Sequence, residues 1–252
     1  MNLLLLEPGE LHPDGLVRLA GRRAAHVVEV LRAATGDTLQ VGVLGGRAGT
    51  GEVVAVEAGA VTLRVALTHD APRRAPVDLL LALPRPKILR KVLHASAAMG
   101  LGRLALVGSY RVEKSYFGSP LLAPEALAAE LRLGLEQGRD TIPPAVTVHR
   151  YFKPFVEDAL DALFSGAQRL LADPAAAESI EAGRPTAARA VLAIGPEGGW
   201  TRYEAAALVE RGFAPFSLGP RPLRVDQAVP YAVGQVELWL RAPHPGLGRV
   251  TP

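Results

Sequence analysis

Apolar and polar positions follow two different rhythms along this chain. Up to about residue 70 the apolar runs are short. Leu3 to Leu6 and Leu16 to Leu19 are separated by Pro8-Gly9 and Pro13-Asp14-Gly15, dipeptides and tripeptides that favour chain reversal. Gly21 to Arg32 carries Val27, Val28, Val30 and Leu31 and predicts one short helix. Thr38 to Val43, Gly51 to Val56 and Val61 to Leu67 follow at even spacing with Gly-rich turns between them, the pattern of a small β-barrel. Gly45 to Gly51 is dense in Gly, but no Gly-Lys-Ser/Thr closes it and no helix follows, so it predicts a hairpin loop and not a phosphate cradle.

From Val77 the rhythm becomes an alternation of strand and helix. Strands are predicted at Val77 to Leu83, Arg103 to Val107, Ala145 to Val148, Gln168 to Ala172, Ala190 to Ile194 and Ala214 to Leu218. Helices are predicted at Lys87 to Met99, Pro124 to Glu136, Pro154 to Phe164, Tyr203 to Glu210 and Asp226 to Leu240, with Asp226 as N-cap and Pro230 in the first turn. Several of the strand runs are continuously apolar. Together with the alternation, that predicts an α/β domain with a parallel sheet covered on both faces. The polar, Pro-bracketed stretch His69 to Pro76 marks the boundary, giving a first domain over 1–70, a second over 77–242 and a loose Pro/Gly-rich tail over 243–252.

Two of the strand–loop–helix units carry the candidate chemistry. In the first, Ala190 to Ile194 runs into Gly195-Pro196-Glu197-Gly198-Gly199-Trp200. Thr201 and Glu204 then have the form of a capping box, and Arg211-Gly212 stops the helix. In the second, the strand ending at Leu218 runs into Gly219-Pro220-Arg221-Pro222-Leu223-Arg224. Glycines in such loops let the main chain approach a ligand, and ligands of α/β sheets sit outside the carboxyl ends of the strands. One such loop is an ordinary tight turn; two together form a pocket.

Composition narrows the chemistry. The chain of 252 residues has no Cys, which excludes disulfides, thiolate nucleophiles and Cys-zinc sites. Its six His are scattered without metal-ligand spacing, so no metal is expected. The opening Met1-Asn2-Leu3-Leu4-Leu5-Leu6-Glu7 reads as a strand and not a signal peptide, and no apolar run reaches membrane-spanning length. No membrane association and a cytoplasmic location are expected. The net charge of +3 is uneven: residues 77–120 hold seven Lys/Arg against two acids, and residues 121–183 hold five against ten. A basic block of this kind suits a polyanion, although a solvated helix face gives the same count.

The two Gly-Pro loops together resemble the paired signature of the ribosomal small-subunit (16S) RNA uridine-N3 methyltransferases, of the SPOUT class. Further segments are similar in the same order: His26 to Arg32 with Gly36-Asp37, Pro84 to Lys91 with Met99-Gly100-Leu101, and Glu136 to Arg139 with Pro143. The resemblance covers nearly the whole chain. It implies a PUA-like RNA-binding β-barrel at the N-terminus, a C-terminal SPOUT domain with a parallel sheet and a deep trefoil knot, S-adenosyl-L-methionine as cofactor, and a homodimer acting on 16S rRNA of the small subunit. The implied donor pocket is Leu83, Ile194, Gly195, Gly199, Leu218, Gly219 and Leu223.

Arg221 and Arg224 are candidates to stabilise negative charge on the base, and Asp226 or Glu197 to accept the N3 proton. A loop-bracing ion pair between Glu197 and Arg224 is an equal reading. Arg22, Arg23, Arg32, Arg85, Lys87 and Lys91 are the candidate RNA contacts. Tyr110, Tyr116 and Phe117 could stack on bases, with packing the plainer reading. Two segments depart from the family. Val225-Asp226-Gln227-Ala228 stands where it has Thr-Glu-Thr-Ala, and Ser109 to Ser119 is more aromatic than its basic stretch. A SPOUT ribose 2′-O-methyltransferase and a catalytically silent RNA-binding assembly factor are the alternatives.

Overall fold

The computed structural model of the protein describes residues 2–242; the predicted C-terminal tail lies outside them. Contacts divide the chain into two compact units. The first comprises the described residues up to Arg73, with Ala97–Gly100 and Leu131–Pro143. The second comprises Arg74–Ser96, Leu101–Glu130 and the described residues from Pro144 onward.

The first unit is built on β1 (Leu4–Leu6), β2 (Leu16–Ala20), β3 (Thr38–Val43), β4 (Ala48–Glu57) and β5 (Ala60–His69), with a short helix α1 (Gly21–Ala25) that widens into a π turn over His26–Val30. The sheet order is β1-β3-β4-β5-β2. All pairings are antiparallel except β1 with β3. Leu4, Leu6, Val17, Leu19, Val27, Val41, Val53, Val61 and Leu63 form its core. The expected loop over Gly45 to Gly51 is shorter, because β4 already begins at Ala48 and Val43 N–H donates to Arg47 O at 2.9 Å. Gly49 is required there: a Cβ would stand 2.0 Å from the Ala66 carbonyl oxygen.

The second unit is a mixed α/β fold on a six-stranded parallel sheet of order β11-β9-β10-β6-β7-β8. Its strands are β6 (Val77–Ala82), β7 (Arg103–Val107), β8 (Ala145–His149), β9 (Gln168–Ala172), β10 (Ala190–Ile194) and β11 (Ala214–Phe216). Helices α2 (Pro86–Ala98), α3 (Pro124–Gly138), α4 (Phe152–Pro154), α5 (Leu160–Leu163), α6 (Arg202–Glu210) and α7 (Val225–Arg241) connect or follow them. Every residue of β6 and β10 is buried, as a parallel strand covered on both faces demands. Asp78, 1% exposed, lies between Arg189 at 3.0 Å and Arg103 at 3.7 Å, which neutralise a carboxylate that burial alone would forbid.

Four local expectations need correction. The helix predicted over Pro154 to Phe164 starts at Phe152 and passes through a π turn over Phe155–Ala159. The wider turn keeps Phe152, Phe155, Val156, Leu160 and Phe164 all in the core. β11 stops at Phe216, so Leu218 belongs to the loop. Arg224, not Asp226, is the N-cap of α7, and it makes no side-chain cap bond. Pro230 therefore lies inside the helix, past its first turn, and has no N–H to give to the carbonyl of Asp226.

Candidate active site

The strand order reverses between β6 and β10. From β6 the chain proceeds outward to β7 and β8; from β10 it proceeds the other way, past β9 to β11. Such a switch point opens a crevice at the carboxyl ends of the two strands. The loops meeting there are Leu83 to Arg85 after β6 and Gly195 to Trp200 after β10. The Arg85 guanidinium spans them, with Nε 3.5 Å from Glu197 Oε1. The loop-bracing partner of Glu197 is thus Arg85 and not Arg224. Both groups are about half exposed.

The loop after β10 owes much of its glycine content to the chain's own packing. A Cβ on Gly195 would lie 3.0 Å from the Trp200 amide and 3.1 Å from its ring. One on Gly198 would lie 3.2 Å from Arg111 Cδ. Gly199 has φ +71° and donates its N–H to Pro196 O at 2.7 Å, a conformation that favours glycine. Arg111, which nothing in the sequence pattern singled out, donates to the carbonyls of Gly198 and Gly199. The capping box is present in full: Glu204 N–H donates to Thr201 Oγ1 at 3.2 Å, and Thr201 N–H to Glu204 Oε2 at 2.9 Å. Trp200 Nε1 is buried with no acceptor.

The loop after β11 is more open. Gly219 has φ +116° with nothing within 4 Å of a Cβ position, and its N–H donates to Ser217 Oγ at 3.2 Å. Ser217 N–H donates to Glu178 O at 2.7 Å, tying this loop to the segment after β9. Between them lies a cleft of about 500 Å³ lined by Pro174, Ser179, Ser217, Gly219, Arg221 and Pro222 among others, a size in the range of small-molecule sites. Arg221 and Arg224 are exposed and make no ion pair among the described residues. Leu223 is 38% exposed, whereas Leu83 and Ile194 are buried beneath the loops.

Asp226 sits in the first turn of α7, which packs against β10 and β6. Its Oδ2 accepts from Lys91 Nζ at 2.7 Å. Its Oδ1 is buried and has no partner. The Lys91 hydrogen bond, with the nearby charge of Arg224, holds the carboxyl below the ordinary aspartate value of 3.8. Here is an ionised carboxylate with one oxygen fixed by Lys91 and the other enclosed without a partner. Lys91 is engaged by it; Lys87, one turn away, is exposed and unpaired among the described residues. In the first unit, Arg22 forks onto buried Glu136 and Arg23 onto Glu10. Arg32 is exposed at φ 52°. Among the described residues no group of His, Asp and Glu could hold a metal ion, and no helix is long and apolar enough to cross a membrane.

The second unit is a parallel α/β sheet with one glycine loop at its switch point, after β10, and a second at its edge, after β11. The family description "RNA methyltransferase domain" matches residues 71–237, and the chain belongs to that family. It is 29% identical to the ribosomal RNA small subunit methyltransferase E of Treponema pallidum over 98% of this chain and 96% of that protein. Among solved structures, it resembles a Legionella pneumophila methyltransferase in complex with S-adenosylmethionine, with a TM-score of 0.72 and 24% identity over 94% of this chain and 96% of that one. It also resembles the ribosomal RNA small subunit methyltransferase E of Neisseria gonorrhoeae bound to S-adenosylmethionine, with a TM-score of 0.72 and 22% identity over 95% and 98% of the two chains. These likenesses place the parallel-sheet fold.

Proposed function

We propose that this protein is an S-adenosylmethionine-dependent methyltransferase acting on N3 of a uridine in 16S rRNA of the small ribosomal subunit. The observation that carries the reading is Asp226: a carboxylate fixed at one oxygen, with the other oxygen buried and unpartnered. Uridine N3 bears a proton that has to leave, and an acceptor beside exposed cations suits that need.

The residues fit the methyl donor. Gly219 leaves the space at its Cα clear, the adjoining cleft has the required size, and Ser217, whose Oγ accepts from the Gly219 N–H, keeps its hydroxyl proton to donate. The proposed donor pocket runs from that cleft, where Gly219 stands, towards the loop after β10, and takes in Leu83, Ile194, Gly195, Gly199, Leu218 and Leu223. When bound, S-adenosylmethionine supplies an already activated methyl group. The protein's task is then to orient the acceptor and manage its proton. Asp226 Oδ1 takes the proton from N3. Arg221 and Arg224 stabilise the negative charge that spreads to the base carbonyls. Arg85 and Glu197 hold the loops after β6 and β10 together, so Glu197 is a brace in this reading.

The remaining parts follow the same proposal. The N-terminal unit is a PUA-like barrel that binds RNA, the C-terminal unit is a SPOUT domain with a trefoil knot, and the protein is a cytoplasmic homodimer. Arg22, Arg32, Arg85 and Lys87 retain exposed cationic surface for phosphates. Deleting the gene and analysing rRNA nucleosides by mass spectrometry tests the reaction, with loss of one 3-methyluridine expected. Loss of a 2′-O-methyl nucleoside instead would identify a ribose methyltransferase. Calorimetry showing no uptake of S-adenosylmethionine by the purified protein would leave an RNA-binding assembly factor.

A further inference from the structure

A second cleft of the second unit is larger than the one beside the loop after β11. It lies at the carboxyl ends of β7 and β8, has a volume of about 1040 Å³, and is walled by the segments 108–117, 150–154 and 201–204. Three of the chain's five tyrosines line it: Tyr110, Tyr151 and Tyr203. They are 87%, 66% and 63% exposed, a large display of aromatic surface around one concavity. The cations in its wall are Lys114, Arg150 and Lys153. The one carboxylate, Glu204, is 3% exposed and fully used. Its Oε1 accepts from Tyr110 N–H at 2.8 Å and its Oε2 from Thr201.

The backbone that carries these rings is held in place. The Tyr110 backbone is tied to the capping box of α6 while its side chain projects freely. Gly108 packs so tightly that a Cβ would stand 2.1 Å from the Arg150 carbonyl oxygen, which locks the two loops together. Arg150 lies over Phe117 at 5.8 Å, and Phe152 packs on Trp200 at 5.6 Å, so the floor beneath the tyrosines is itself ordered. Lys153 is loosely paired with Glu157 at 3.8 Å, and Lys114 is exposed. Exposed aromatic faces interleaved with cations match an unpaired polynucleotide, whose bases stack and whose phosphates carry charge. Protein interfaces are also rich in tyrosine and arginine, but they are depleted in lysine, and two of the three cations here are lysines.

We propose that this cleft binds an unpaired segment of the substrate RNA, with bases stacked on Tyr110, Tyr151 and Tyr203 and phosphates met by Lys114, Arg150 and Lys153. The proposal rests on the RNA methyltransferase reading and adds a second substrate-holding site to it. The test is fluorescence anisotropy of the full chain with a labelled single-stranded oligouridylate and with a duplex of equal length. Single strands should bind more tightly than duplex. Replacing Tyr110 and Tyr151 together by Ala should weaken single-strand binding by about tenfold or more, as loss of base stacking does. Lys114→Ala should reduce the slope of log affinity against log salt by about 0.7.

Unchanged affinity in the tyrosine variant, or equal binding of duplex, overturns the proposal. So does a tyrosine variant that turns a dimer into a monomer in sedimentation while keeping its oligouridylate affinity, because the cleft is then an interface between copies. Calorimetry with S-adenosylmethionine on the same preparations separates the two levels. Wild-type protein that takes up none sinks the methyltransferase reading. Uptake together with unaffected tyrosine variants sinks the cleft alone.

Discussion

Replacing Asp226 by Asn separates a proton acceptor from a structural brace. The substitution keeps shape and removes charge. Its cost to the fold is small for two reasons. The Lys91–Asp226 pair has one end 58% exposed and the other 12%, so its contribution is of the order of 1 kcal/mol. Removing the charge also relieves the burial of Oδ1, which has no partner. The two effects offset, and the melting temperature should move by no more than about 2–4 °C. Catalysis should respond very differently. A positioned general base contributes about 10²–10⁴ in rate, or about 3–5 kcal/mol of barrier, so turnover should fall by that factor while S-adenosylmethionine affinity stays the same. The assay is transfer of labelled methyl to rRNA, paired with calorimetry of the donor.

The companion Lys91→Met adds a pH signature. In the native protein Lys91 holds the Asp226 carboxyl below 3.8, so the group stays ionised throughout the neutral range and activity has no acid limb there. A depressed carboxyl contributes stability above its unfolded value, lost as pH falls through its folded one. Without Lys91 the buried carboxyl rises, and the acid limb of activity moves up towards neutrality. Activity of Asp226→Asn within twofold of wild type would refute the role given to Asp226. A changed salt slope for RNA binding in Lys91→Met would show that Lys91 contacts phosphate instead.

Other consequences can be checked with less effort. Arg23 draws the Glu10 carboxyl from 4.5 to about 2 through their hydrogen bond. The shift bounds the coupling near 3 kcal/mol, and solvent screening of a partly exposed pair reduces it to about 1 kcal/mol. Arg23→Ala should therefore destabilise by about 1–2 kcal/mol in denaturant melts above pH 4.5, where the native pair is fully formed, and the deficit should vanish as pH falls through about 2. Arg189→Leu removes the nearer of two cations from Asp78, 1% exposed, and should cost about 2 kcal/mol, less than the complete breaking of a buried pair because Arg103 remains. Thr201→Ala breaks the capping box seen at Glu204 and should cost about 1 kcal/mol, measured as a lower midpoint in urea. Lys87→Ala should lower the salt slope of single-strand RNA binding by about 0.7.

The parallel sheet was legible because its strands are buried on both faces and so read as continuous apolar runs, as β6 and β10 do. The capping box at Thr201 and the stop at Gly212, φ +83°, were legible because each is fixed by residues within one turn. What escaped the sequence depends on residues far apart. Nothing near Gly198 shows that Arg111, 87 positions away, will lie across it. Asp226 has an N-cap's residue type, yet the helix begins one residue earlier and its carboxylate turns to Lys91, 135 positions away. A local rule lost to a long-range charge. The π turn at Phe155–Ala159 escaped because five large apolar side chains had to share one core, which a single helical period cannot show.

Pairing also changes what the basic block means. Counted along the sequence, residues 77–120 are a cationic surface. In the folded unit Arg85 meets Glu197, Arg90 meets Glu130 and Lys91 meets Asp226, and His94 stands 2.7 Å from Glu130 as well. Two of these pairs reach the loops and the helix that converge on the switch point. The positive charge on α2 and on the turn before it therefore helps to fix the candidate site's geometry, and Lys87 remains as the helix's unpaired cation. The acidic surplus after residue 120 supplies only Glu130 to this network, while Glu197 and Asp226 lie further along the chain. In the proposed reading a polyanion would meet Lys87, the half-exposed guanidinium of Arg85, and Arg221 and Arg224 on the open loop. Arg85–Glu197 ties the turn before α2 to the loop after β10, and Lys91–Asp226 ties α2 to α7, so removing either pair should loosen the segments that carry those cations.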